Sequence, residues 1–92
     1  SYSIKLGNIR DDYRVEYKED HDGTKNKIIE GELISKSGGL FSKDKEDYII
    51  YIDELKYWDS PKEELISESE LKQILIRLSS YLKENDIGLI IK

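Results

Sequence analysis

The stretch ISESELKQILIRLSSYLKENDIGLII, residues 66–91, decides the fold. Ser67 and Glu70 stand at the spacing of a capping box, in which the serine hydroxyl accepts from the Glu70 amide and the glutamate reaches back to the Ser67 amide. Ile66 before the cap and Leu71 after it form a hydrophobic staple. Leu71, Ile74, Leu75, Leu78, Tyr81 and Leu82 then recur at the spacing of one helical face, with Lys72, Gln73, Arg77, Ser80 and Lys83 opposite. Acids in the first turn and Lys83 in the last agree with the helix dipole. The helix should end near Asn85-Asp86, and Ile87 to Ile91 reads as a last strand, too continuously apolar for an exposed edge.

Upstream the period changes from helix to strand. Tyr2, Ile4 and Leu6 alternate with Ser3 and Lys5 and predict a strand broken near Gly7-Asn8. Tyr13, Val15 and Tyr17 give a second, half-buried strand. His21-Asp22-Gly23-Thr24 supplies a turn in which Gly23 takes a positive φ. A third strand is expected over Lys27 to Lys36, with Ile29, Gly31 and Leu33 on one face and Glu30 and Glu32 on the other, followed by a turn at Ser37-Gly38-Gly39. Tyr48 to Ile52 is apolar at both parities, as in an inner strand or in one presenting a face to a partner. Ser60-Pro61-Lys62-Glu63 has the order of a cap, a first-turn proline and an acid, which predicts a short helical turn. These elements predict a single α+β domain over residues 1–92: a mostly antiparallel sheet of about five strands in the order β-β-β-β-α-β, with one long C-terminal helix on one face.

Composition narrows the function. A chain of 92 residues builds one core, and the absence of cysteine excludes a disulfide framework, a thiolate metal site and a cysteine nucleophile. A net charge of -5 argues against nucleic acid as a partner. No apolar run reaches the roughly 20 residues that cross a bilayer, and no basic-then-apolar leader opens the chain, so no membrane is expected and the cytoplasm is the default. The charge is unevenly spread. Residues 1–43 balance eight acids with eight bases, residues 71–92 have a net of +2, and residues 44–70 hold ten acids against three lysines, a net of -7.

Catalysis finds few candidates. The single histidine, His21, lies in a turn between two aspartates without a nucleophile beside it, and the neighbouring calcium-loop resemblance lacks the later ligands. Glu30 and Glu32 read as a solvated strand face rather than an acid/base pair, and no phosphate-binding glycine motif or zinc spacing occurs. No catalytic residue, cofactor or metal is therefore expected. Protein binding uses what is present: Tyr48, Tyr51, Tyr57 and Trp58 inside the acidic segment have the composition of an interface for a cationic partner. For Trp58 the alternative is a plug beneath a connection. Self-association through the Tyr48 to Ile52 strand is a further reading and leaves a homodimer open, and a small ligand-binding or enzymatic domain would need a pocket with converging polar groups.

Gly31-Glu32-Leu33, the apolar strand ending in Asp53, Tyr57-Trp58-Asp59 with Pro61 just beyond, and a helix opened by Ile66-Ser67 and closed before a final strand resemble the immunity protein seventy-four family of bacterial polymorphic-toxin systems, from about Lys27 onward. The resemblance implies a non-catalytic protein that binds and neutralises a cognate toxin. A basic toxin domain would suit the acidic segment, with Tyr51, Asp53, Glu54, Tyr57, Trp58, Asp59, Glu63 and Glu64 as the expected contact residues.

Overall fold

A computed structural model describes residues 1–9, 12–20, 23–36, 40 and 45–92. The predicted turns at His21-Asp22 and at Ser37-Gly38-Gly39 lie outside the described residues. Six strands and one long helix follow in the order β1 (Tyr2–Ile9), β2 (Asp12–Asp20), β3 (Thr24–Glu30), β4 (Glu32–Lys36), β5 (Lys45–Ile50), α1 (Glu68–Glu84) and β6 (Ile87–Ile91). The α+β class and the C-terminal helix stand as expected, but the strands form two three-stranded sheets, β1-β2-β3 and β4-β5-β6.

The first sheet is an antiparallel meander. β1 does not break at Gly7: the ladder to β2 runs on through Gly7 opposite Arg14 as far as Ile9 opposite Asp12. Nothing at Gly7 turns the chain, and its φ is not positive, whereas Gly23 does adopt a φ of 105° just before β3. Val15 and Tyr17 of β2 and Ile29 of β3 are buried, which is the alternation the sequence predicts.

The single strand expected over residues 27–36 is two strands, divided at Gly31 and belonging to different sheets. The physical reason is the approach of β5. A Cβ on Gly31 would stand 2.5 Å from the Ile49 carbonyl oxygen and 2.6 Å from the Tyr48 ring, so only glycine lets the chain turn this corner. Tyr48 pins it. Its hydroxyl accepts from the Gly31 amide (3.0 Å), donates to the Tyr13 carbonyl (2.8 Å) and lies 3.3 Å from the Ile29 carbonyl. Burial pushes this phenol above its ordinary pKa, against the pull of the Gly31 amide.

In the second sheet β5 lies between β4, antiparallel, and β6, parallel. It is the inner strand that its double apolarity implies, and Tyr48, Ile49 and Ile50 are all buried. β6, in contrast, stands at the sheet's edge despite its apolar sequence. The helix opens with both halves of the capping box formed, and ends with Asn85 as cap and Asp86 at a φ of 60°. Its buried stripe, Ile74, Leu78 and Leu82, joins Val15, Tyr17 and Ile29 of the first sheet and Tyr48, Ile50 and Ile87 of the second in one core. Arg77 crosses to β2, donating to the Tyr17 hydroxyl (2.7 Å) and to Glu19 (2.8 Å), and the Tyr81 hydroxyl accepts from the Leu6 amide of β1. No helix among the described residues is long and apolar enough to cross a membrane.

Candidate functional site

The acidic connection from β5 to α1 is not a loose loop. A 3-10 turn at Ile52–Glu54 leads into two short extended runs that face each other: Tyr57 bridges Leu65, the Trp58 amide donates to the Glu64 carbonyl (2.8 Å), and the Ile66 amide donates to the Lys56 carbonyl (2.8 Å). The tip between these runs docks on β3, where Asn26 and Ser60 form an antiparallel bridge and the Asp59 amide donates to the Asn26 carbonyl (2.9 Å). The helical turn expected at Ser60-Pro61-Lys62-Glu63 is therefore absent: Ser60 is held extended against β3, and its peptide to Pro61 is cis.

This folding sorts the eight expected contact residues. Asp53, Glu54, Tyr57, Trp58, Asp59 and Glu63 come together around one depression of about 390 Å³, which Lys27 and Lys56 also line. Tyr51 and Glu64 are not part of its wall. Asp53, Glu54, Glu63 and Tyr57 are exposed, the tyrosine at 44 %. Trp58 is only 1 % exposed. It belongs to the core beside Tyr17, ring centroids 6.1 Å apart, so it plugs the connection from beneath rather than standing on the surface. Its indole nitrogen is buried without a hydrogen-bond partner among the described residues, as is Asn26 Oδ1.

Asp59 and Glu64 hold the connection in place. One Asp59 carboxylate oxygen accepts from the Ile28 amide (2.8 Å) and lies 3.4 Å from the ammonium of Lys27, a residue only 7 % exposed. Glu64 lies 3.6 Å from Lys25, which also reaches Glu70 at 3.4 Å and sits 5.7 Å from the centre of the Trp58 ring. Desolvation lowers the Lys25 pKa, but Glu70 and Glu64 outweigh it and leave the ammonium above the ordinary lysine value. Desolvation likewise raises Glu70, while the Ser67 amide and hydroxyl and Lys25 outweigh it and hold the carboxyl below its ordinary value. The two lysines were missed as parts of the site. Lys27 had a readable signal, because it shares the inward parity of Ile29; Lys56 had none.

Tyr51 is about one-third exposed at the start of the 3-10 turn. The depression is thus lined by four carboxylates, two ammonium groups and one phenol, with Trp58 beneath. His21 lies outside the described residues, among which no group of three His, Cys, Asp or Glu side chains could hold a metal ion. Neither the curated proteins nor the solved structures contain a match to this chain. The family model of Immunity protein 74 matches residues 21–92, beginning a few residues before Lys27 and taking in β3, the glycine corner, the acidic connection, the helix and the last strand. The chain belongs to the Immunity protein 74 family.

Proposed function

We propose that this chain is a cytoplasmic, non-catalytic immunity protein that neutralises a basic toxin domain by binding it through the acidic connection. The observation that carries this reading is the gathering of Asp53, Glu54, Asp59 and Glu63 with Tyr57 around one depression. Charge of this density speeds encounter with a cationic partner, and an exposed tyrosine supplies contact area at small entropic cost. Tyr51 and Glu64 extend the surface beyond the depression, and Trp58 supports it from below. Family membership adds that the partner is the toxin made with it.

The test uses the toxin domain encoded beside this chain, with stopped-flow association measured over a range of salt concentrations. Changing Asp53, Glu54 and Glu63 together to lysine should slow association by about tenfold or more at low salt and flatten its salt dependence. Asp59 is left out of the set because its carboxylate also holds Lys27 and the Ile28 amide. Unchanged association at low salt by the folded triple variant would remove the acidic connection from the interface.

A further inference from the structure

β6 poses a question that the acidic connection does not answer. Ile87-Gly88-Leu89-Ile90-Ile91 has no charge in a chain in which 38 % of residues are charged, yet it is an edge strand. The other three edges are managed. On β3, Asn26 pairs with Ser60 and the Ile28 amide is taken by Asp59. β1 carries Lys5, and its Leu6 amide is taken by the Tyr81 hydroxyl. β4 opens with the exposed Glu32. Charges and covering segments are the usual means by which edge strands avoid pairing with another chain, and β6 has neither among the described residues.

The main-chain pattern of β6 fixes what could pair with it. Lys92 donates its amide to the Ile50 carbonyl (2.9 Å) and accepts from the Ile52 amide (2.9 Å), so Lys92, and with it Ile90 and Gly88, point their main-chain groups toward β5. Ile87, Leu89 and Ile91 therefore point theirs away from the sheet, where no main-chain hydrogen bond is made among the described residues. Beside this edge an apolar groove of about 570 Å³ runs between β6 and α1, with Leu75, Ile76, Leu89 and Ile91 in its wall and Lys83 at its margin. Ile76 is 63 % exposed and Ile91 47 %.

We infer that β6 is a homodimer interface, at which the β6 of a second copy pairs antiparallel and joins the two outer sheets into one of six strands. The sequence is self-complementary in the register centred on Leu89. There Leu89 faces Leu89 of the second copy and Ile87 faces Ile91, so every outward amide and carbonyl meets its counterpart, while Gly88, whose side-chain position is taken by the Asp47 carboxylate of β5, falls opposite Ile90. At both ends the register brings Asp86, the left-handed residue just before β6, to the side of Lys92, so that opposite charges approach each other twice. A two-fold axis through such a pair is normal to the sheet and keeps both α1 helices on the same face. The groove of each copy then meets that of the other, and Ile76 and Ile91 are covered. This interface reaches the start of the acidic connection at Lys92, whose carbonyl accepts from the Ile52 amide, and does not depend on the function proposed for that segment.

Sedimentation equilibrium of the 92-residue chain, from micromolar to millimolar concentration, reads the proposal directly. The expected mass is twice 10.8 kDa. Ile76→Glu, on the exposed helix surface, should weaken self-association about tenfold or more by placing two carboxylates in an apolar joint. Lys92→Glu should weaken it severalfold through like charges opposite each other, and adding Asp86→Lys to that variant should restore it. Circular dichroism establishes that each variant is folded. A monomer at every concentration overturns the inference, as does a dimer whose affinity is unchanged in folded Ile76→Glu and Lys92→Glu. If Ile76→Glu instead weakens capture of the toxin domain while the chain sediments as a monomer, the edge receives the toxin and the homodimer is likewise excluded.

Discussion

The two sheets are built from differently distributed parts of the chain. In the first, β1, β2 and β3 follow one another and pair with their sequence neighbours. In the second, β5 joins β6 across the acidic connection and the whole of α1, and the pairing is parallel. The first sheet has one edge docked by Asp59 and Ser60 and the other engaged by Tyr81; the second keeps an uncharged edge, β6, that nothing covers among the described residues. Local pairing yields a self-contained element, whereas long-range pairing makes the second sheet depend on the helix and connection that bring β6 into place.

Trp58 offers the strongest way to break this contrast, because it sits in the core that both sheets share. Trp58→Ala should cost about 3–5 kcal/mol, read by denaturant unfolding. Amide exchange should lose protection in both sheets together; loss confined to β4, β5 and β6 would mean that the first sheet stands without the connection.

Tyr48 tests the corner between the sheets. Tyr48→Phe leaves the Gly31 amide and the Tyr13 carbonyl without their partner and should cost about 1–3 kcal/mol. In the same measurements, exchange at Gly31 should rise more than exchange in β1.

The helix cap gives the smallest effect. Ser67→Ala should cost about 1 kcal/mol, with protection falling first in the opening turn of α1. The cap also carries a pH dependence with a definite sign. Because the Glu70 pKa is lower in the folded chain than its ordinary value of 4.5, its contribution is complete above that value and is lost as pH falls through the depressed one. Glu70→Gln should therefore flatten the acid limb of the stability curve, and an unchanged limb would assign that loss to other carboxylates.

How much of this was legible follows from the same contrast. The capping box, the apolar stripe of α1 and the alternation in β2 are local patterns, and each appears where its spacing places it. The division of residues 27–36 was not legible, because Ile29, Gly31 and Leu33 keep a single strand parity and only the ring of Tyr48, distant in sequence, shows why Gly31 is a corner. The turn expected at Ser60 failed for a similar reason: its partner is Asn26, far back in β3. Of the site, the acidity of the connection and the presence of aromatic residues within it could be read from composition. The inward position of Trp58 and the placement of Lys56 depend on how the connection folds back, which no local period encodes, whereas Lys27 shares the inward strand parity of Ile29.

The docking of the acidic connection on β3 has a kinetic consequence. Its main chain is tied at Asn26 and between its own two runs, and the Asp59 carboxylate ties it to the Ile28 amide, so the proposed contact surface has a backbone whose shape is already set. Little ordering entropy remains to be lost there on association, and recognition should proceed as a near rigid-body encounter with side-chain adjustment. Under the proposed function, such a surface favours capture on first collision over slow mutual accommodation.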